Sequence, residues 1–364
     1  MEDTEYTLLG QGTYGCVFKP SLPCDTNIGS YKNKLSKLML KKDALKEVEE
    51  YTMIDRADKN SQYYTGNPIH CKIKRTPQTE RAIRKCSLTR KKTMDKVLSE
   101  NSLLIIGDGG YDLEKWVKKV LKSKNPQQQI SDFWREMTRM TDGLVVFKKY
   151  DLIHHDLKPQ NIVFRPETKR SNFIDFGLMR SIRSEAAKCR EVASCRGSSH
   201  WNYPTEIIFM NKKYFMMVSK NSDSQRNIIY KQFMDNIKKR SQTDFGNAFD
   251  IMISYIFKRD DIEKRKAFTD RYMNAWRDLL MSIQPNSIQP NNYEDFLTKT
   301  IYGFDVFGFG LSMMYVLSRL QQFMKPEIVT KMDDLFFRMM TPNVFVRITA
   351  EQARDEYKMI VAGI

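Results

Sequence analysis

The sequence predicts an α+β fold that is strand-rich at its start and helical later, and three observations predict it. The run Leu8-Leu9-Gly10-Gln11-Gly12-Thr13-Tyr14-Gly15-Cys16-Val17-Phe18-Lys19 reads as strand, glycine turn, strand. From Ile130 onward, apolar residues recur at helical spacing in several long stretches. Between these regions lie His154-His155-Asp156-Leu157-Lys158-Pro159-Gln160-Asn161 and Asp175-Phe176-Gly177, bracketed by the strand-like runs Ile162-Val163-Phe164 and Phe173-Ile174. The residues after Gly15 are Cys, Val and Phe, which favour extended chain, whereas a helix follows the glycines of a dinucleotide-binding fold. Glycines at 10, 12 and 15 let a backbone approach phosphate oxygens with no Cβ in the way. The run therefore reads as a flap over a nucleotide.

The middle segments carry two carboxylates, an amide and an ammonium at the spacing that phosphoryl transfer from a metal-bound nucleotide requires. Asp156 can take the proton of an attacking hydroxyl, and Lys158 can sit beside the phosphoryl group in flight. Asn161 and Asp175 can hold magnesium (Mg2+) against the phosphates. On these residues the chain resembles eukaryotic-type serine/threonine protein kinases from about Leu9 to about Arg347, the lysine of Asp-Leu-Lys-Pro being the serine/threonine form. The Gly109-Gly110-Tyr111-Asp112-Leu113-Glu114 run is similar to that of haspin-type kinases and some kinases of large DNA viruses.

The resemblance implies a bilobal kinase-like fold. It has a small β-rich N-lobe with one key helix, residues 1–107, and a larger, mainly helical C-lobe, residues 108–364. It further implies ATP and Mg2+ as cofactors, with Leu9 and Val17 covering the adenine. Lys37, in Leu35-Ser36-Lys37-Leu38-Met39, is the lysine expected to pair with the α and β phosphates, with Lys32 and Lys34 close by. Its carboxylate partner is expected on the helix from Lys42 to Asp55, where Glu50 fits the family pattern and Glu47 lies one turn earlier. Leu103 to Leu113 resembles the hinge, with Ile106 as gatekeeper and Gly107 to Gly109 offering backbone groups to the adenine edge. Phe176 and His154 are expected to pack. His155 stands where the family most often has an arginine that meets an activating phosphate, so its presence implies that none is needed.

Leu178 to Glu206 is the expected activation segment, with Ser181, Ser184, Ser194, Ser198 and Ser199 as candidate phosphoacceptors. Gly197-Ser198 resembles the step that hydrogen-bonds the catalytic Asp and Lys. The resemblance pairs Glu206 with Arg347 and makes Asp305 the anchor of the catalytic-loop backbone. The stripe Phe133, Trp134, Met137, Met140, Leu144 and Phe147 predicts a long core helix. Residues 207–300 form an expected helical insertion, with helices over Ile228 to Ile237, Phe249 to Phe257 and Asp261 to Ile283 and a loop over Pro285 to Asn292. Substrate recruitment and structural support are both open for it. Residues 57–102, polar and basic apart from short apolar pieces, are expected as an expanded connection in the N-lobe.

With 364 residues the chain can bury a two-lobed core, with no room for a further catalytic domain. A net charge of +16 points to protein substrates that are acidic or associated with nucleic acid. No zinc-finger spacing or recognition helix points to direct nucleic-acid binding. No apolar run reaches the length that spans a bilayer, so no membrane partner is expected. Six scattered cysteines, at 16, 24, 71, 86, 189 and 195, and no signal peptide predict free thiols and a cytoplasmic or nuclear location, host cytoplasm or virion if the chain is viral. A pseudokinase that binds nucleotide or scaffolds partners is the second reading.

Overall fold

Five antiparallel strands organise the N-terminal part of the chain. The computed structural model describes residues 5–12, 15–191, 200–238, 244–283 and 292–364. These fall into two units: Met1–Gly110 with Asn172–Gly177, and Tyr111–Ser171 with Leu178–Ile364.

In the first unit, β1 (Thr7–Gln11), β2 (Gly15–Lys19), β3 (Lys34–Leu40), β4 (Ile69–Cys71) and β5 (Asn101–Gly107) form one sheet in the order β1-β2-β3-β5-β4. Side chains alternate between the faces of such a sheet. On one face Cys16, Phe18, Leu38, Leu103 and Ile105 join a buried core with α2 (Pro77–Arg84) and α3 (Met94–Glu100). On the other, Met39 and Leu104 meet Ala44 of α1 (Lys41–Ala57). Lys37 is paired with Val17 on one side and Leu104 on the other, so all three share this second face. The period of two thus carries Lys37 to the helix side.

The segment expected as an expanded connection is folded, because Cys71, Ile73, Ala82, Ile83, Cys86, Met94 and Val97 supply it with a core. Two disulfides lie in that core, Cys16 to Cys86 and Cys24 to Cys71, with Cα separations of 6.0 and 5.7 Å. Cys189 is disulfide-bonded as well. The expectation of free thiols is therefore corrected: spacing hid the pairs, whose members are 70 and 47 residues apart and meet only through the sheet.

The second unit is mostly helical. It begins with β6 (Tyr111–Asp112), α4 (Leu113–Val120), α5 (Pro126–Lys149), β7 (Leu152–Ile153), β8 (Ile162–Arg165) and β9 (Arg170–Phe173). The small sheet runs β6-β8-β9. The predicted stripe of α5, from Phe133 to Phe147, is buried, and Tyr357 donates its hydroxyl to the Trp134 carbonyl at 2.7 Å. After β10 (Arg180–Ser181), which pairs with β7, come α6 (Ile182–Arg190), α7 (Lys212–Ser219), α8 (Asp223–Lys238), α9 (Asp244–Ile256) and α10 (Ile262–Ser282). The last three are α11 (Asn292–Leu320), α12 (Pro326–Met340) and α13 (Ala350–Val361). Of the loop expected over Pro285 to Asn292, residues 285–291 lie outside the described residues and Asn292 opens α11.

The expected end of the insertion at residue 300 falls inside α11, a single helix carrying Asp305. The span Tyr293–Phe323 is long and apolar enough to cross a membrane, contrary to the expectation that no run reaches that length; 94% of its most apolar window is buried. Apolar residues all round a helix are what a central position in a helical unit requires. Gly308 is needed for packing: a Cβ there would stand 2.5 Å from the Leu157 carbonyl oxygen. The core helix and the loop after β7 approach that closely only through a glycine.

The disulfides make a direct prediction. A link closing a loop of 70 residues removes chain entropy worth about 4 kcal/mol from the unfolded state. We expect Cys16, Cys24, Cys71 and Cys86 to resist alkylation in non-reducing denaturant, and the reduced protein to melt lower by on the order of 10 °C. Four readily alkylated thiols, together with a melting temperature unmoved by reductant, would refute the pairing.

Candidate active site

The first unit contributes a lysine between two carboxylates. Lys37 Nζ donates to Glu47 Oε2 at 2.7 Å and Oε1 at 2.9 Å, and reaches Asp175 Oδ1 at 3.4 Å. The expected partner was Glu50, and helix geometry explains the correction. Ala44, Glu47, Tyr51 and Ile54 follow the three-and-four spacing of one buried stripe of α1. Glu50 sits beside that stripe, and its cation is Lys46 at 3.6 Å.

Burial works to discharge Lys37, but the Asp175 and Glu47 carboxylates outweigh it and raise its pKa, holding the ammonium charged. Burial raises the Glu47 carboxyl and pushes that of Glu50 up to about 7, against the pull of Lys37 on the first and Lys46 on the second.

Asp175 reaches this cluster because the chain around it is fixed within the first unit. Phe173 N–H donates to the Tyr63 carbonyl at 2.8 Å, and Phe176 is buried with its ring 5.2 Å from Tyr51 and 6.1 Å from Tyr64. Asp175 itself has φ of 64°, a left-handed conformation uncommon outside glycine. Such strain is held only by surrounding contacts and gathers at functional positions.

The glycines separate into two kinds. A Cβ at Gly15 would meet the Leu38 carbonyl oxygen at 2.9 Å, so packing requires glycine there, whereas Cβ atoms at Gly10 and Gly12 would meet nothing within 4 Å. Among the described residues, nothing packs where side chains at Gly10 and Gly12 would stand. Leu9 lies at a bulge of β1 and is 40% exposed. Gly107 ends β5 opposite Lys34, and a Cβ on it would press on the Thr65 carbonyl at 2.7 Å, so the chain near residue 65 demands this glycine. In the same stretch the Asp108 carboxylate takes Lys19 at 2.8 Å and the Gly110 N–H at 3.0 Å, and no contact of Gly109 stands out.

The second unit contributes the cluster around Asp156. Asp305, buried in α11, accepts His154 N–H at 2.7 Å on one oxygen and His155 N–H at 3.0 Å on the other. Two residues on, Asp156 Oδ2 receives Lys158 Nζ at 2.7 Å and Asn161 Nδ2 at 2.9 Å, and Asn161 also donates to the Asp156 carbonyl at 2.8 Å. Asp156 Oδ1 receives Asn202 Nδ2 at 2.9 Å. The expected contact from Gly197-Ser198 lies outside the described residues, as do Thr13, Tyr14, Ser194, Cys195 and Ser199. Asn202 had no sequence signal, since a single amide in a polar segment resembles any loop residue.

Glu206 takes the Arg347 guanidinium as expected, deep in the core, and Arg347 Nε also donates to the Thr341 carbonyl at 2.9 Å. The Thr205 hydroxyl is held by Tyr272 at 2.7 Å and by Trp276 Nε1 at 2.7 Å, both on α10. Tyr255 of α9 donates to Glu114, which also accepts Gln160 Nε2 at 2.5 Å, and its ring lies 4.4 Å from Trp201. These contacts make α9 and α10 a support for the chain that flanks Asp156.

His155 is no cation at neutral pH. It packs 4.6 Å from the Phe304 ring and 5.4 Å from Tyr203, and burial pushes its pKa down to about 4. The nearby Arg180 is paired to Glu185 of α6 at 2.9 Å. Ser181 caps α6 and gives its hydroxyl to Asp151.

No family model matches the chain. A stretch of 106 residues, 28% of the chain, is 28% identical to an Arabidopsis thaliana protein described as an inactive serine/threonine-protein kinase/endoribonuclease IRE1-like. The match spans 19% of that protein's length. This partial likeness, a small antiparallel sheet and a larger helical part are together compatible with a kinase-like fold.

The His155 shift predicts a pH dependence. Its pKa is lower in the folded chain, about 4, than in the unfolded chain, so between these values the unfolded state binds more protons. Its contribution is complete above about pH 6.5 and is lost as the pH falls towards 4, by about 2 kcal/mol between pH 7 and 5. His155→Asn, which tolerates the left-handed φ of 66°, should flatten that stretch of the stability curve in denaturant titrations. Parallel curves for wild type and variant would place the ring in solvent.

Proposed function

We propose that the chain is a serine/threonine protein kinase that transfers the γ-phosphate of ATP to protein hydroxyls. The observation that carries this reading is the Asp156 carboxylate held by Lys158, Asn161 and Asn202 above a loop pinned by Asp305. A carboxylate so oriented is equipped to accept a proton. The Lys37 cluster with its open glycine strand is equipped to grip phosphates.

The step balances simply. An acceptor Ser or Thr oxygen forms a bond to the γ-phosphorus as the bond from that phosphorus to the β–γ bridging oxygen breaks. ADP leaves, and the hydroxyl proton passes to Asp156 and then to solvent. Lys158 offsets charge on the transferring group.

Among the described residues no group of three or more His, Cys, Asp or Glu is arranged to hold a metal, so a resident site is not part of the reading. Magnesium, when it arrives with the nucleotide, supplies neutralisation of the phosphate charge. The donors fit that hard cation: Asn161 spends its Nδ2 on Asp156 and keeps Oδ1, and the Asp175 side chain is 48% exposed. The net charge of +16 favours acidic protein substrates or substrates bound to nucleic acid. A second reading, a nucleotide-binding pseudokinase, draws on the word inactive in the description of the Arabidopsis protein.

Purified protein with labelled ATP, magnesium and generic acidic and basic protein substrates separates the two. We expect transfer by wild type and loss of at least about 100-fold in Asp156→Asn and Asp175→Ala. Nucleotide binding without transfer in wild type would favour the pseudokinase. In a separate measurement, Glu47→Gln should weaken nucleotide binding by about 10-fold, while Glu50→Gln stays near wild type; the reverse order would restore Glu50 as the partner of Lys37.

A further inference from the structure

We propose that Asn202 is a positioning residue that fixes the plane of the Asp156 carboxylate and ties it to the chain from Tyr203 to Glu206. The proposal rests on the phosphotransfer reading and deepens it. Asn202 is 2% exposed and donates Nδ2 to Asp156 Oδ1 at 2.9 Å. Lys158 and Asn161 both bind the other oxygen, Oδ2. An ionised carboxylate has about two acceptor sites on each oxygen. Oδ2 is filled, and Oδ1 keeps one site, the one able to take a hydroxyl proton.

The terminal torsion of an aspartate is soft and broad. Gripped at Oδ2 alone, the carboxylate turns about that end and the free site of Oδ1 sweeps with it. The bond from Asn202 removes this freedom. Its own orientation follows from donor chemistry, because the amide oxygen facing Oδ1 would set acceptor against acceptor. That oxygen is instead bonded to His200 Nδ1, so donation runs from His200 to Asn202 to Asp156.

The residues that follow Asn202 are fixed one after another. Tyr203 packs 5.7 Å from Phe304, Thr205 is bonded to Tyr272 and Trp276, and Glu206 to Arg347. The orientation of Asp156 is therefore set by the same stretch of chain that the inserted helices support. Neutrality also matters: an aspartate at 202 would place a second carboxylate against the first.

Steady-state kinetics of wild type, Asp156→Asn, Asn202→Ala, Asn202→Asp and Asn202→Thr test this. We expect Asn202→Ala to lower kcat by about 10-fold to 100-fold with the KM for ATP within about twofold of wild type. Asn202→Asp, nearly isosteric, should lose more, and Asn202→Thr, which keeps a donor, should recover part. Asn202→Ala with a kcat within about twofold of wild type, while Asp156→Asn is inactive, overturns the proposal and leaves the kinase reading intact.

Should wild type transfer no phosphate, that reading fails and the contact is still measured by NMR of protein labelled with 15N-asparagine. The side-chain amide of Asn202 should exchange slowly in wild type, and shift and exchange faster in Asp156→Ala. An amide signal unchanged by that substitution overturns the proposal.

Discussion

One buried carboxylate holds the loop from His154 to Asn161 in place. Asp305 spends both oxygens on consecutive backbone N–H groups, those of His154 and His155, and it projects from a stretch of helix, residues 303–318, that is buried all round. Burial raises its pKa, with His154 and the two amide bonds opposing. A carboxylate in such surroundings is tolerated only with its acceptor capacity used. The loop is thereby fixed to the long buried helix of the second unit, and the chain from His154 to Asp156 carries that anchoring to the Asp156 carboxylate. The left-handed φ of 66° at His155 is the local cost of the turn.

The first unit solves a different problem, a lysine that must stay charged while mostly buried. Strand alternation delivers Lys37 to the face of α1, and the helix returns Glu47 from its buried stripe. Two carboxylates near one ammonium offset its desolvation, a balance that fails if either element shifts by a residue. Asp175 completes the balance because Phe176 is wedged between Tyr51 and Tyr64.

Much of this was legible before any coordinates. Periodicity located α5 and the helices of the insertion, since an apolar stripe is a local signal that survives without knowledge of its partners. The strand around Lys37 and the buried pair of Glu206 with Arg347 were readable from motif order. Glu47 and Glu50 differ by less than a turn, and only the packing of Ala44, Tyr51 and Ile54 decides which faces the sheet. The disulfides were not legible, because Cys16 and Cys86 become neighbours through a core assembled from distant segments. Asn202 was equally hidden: its role lies in what it touches.

The pair of hydrogen bonds that Thr205 makes to Tyr272 and Trp276 has a consequence for deletion. The helical array around α10 becomes indispensable once a buried hydroxyl next to the Glu206 and Arg347 pair depends on it. Excising those helices would strand polar atoms in an apolar interior, at a cost of roughly 1–3 kcal/mol for each group. Such dependence makes the loss of these helices costly whether or not they recruit a ligand of their own.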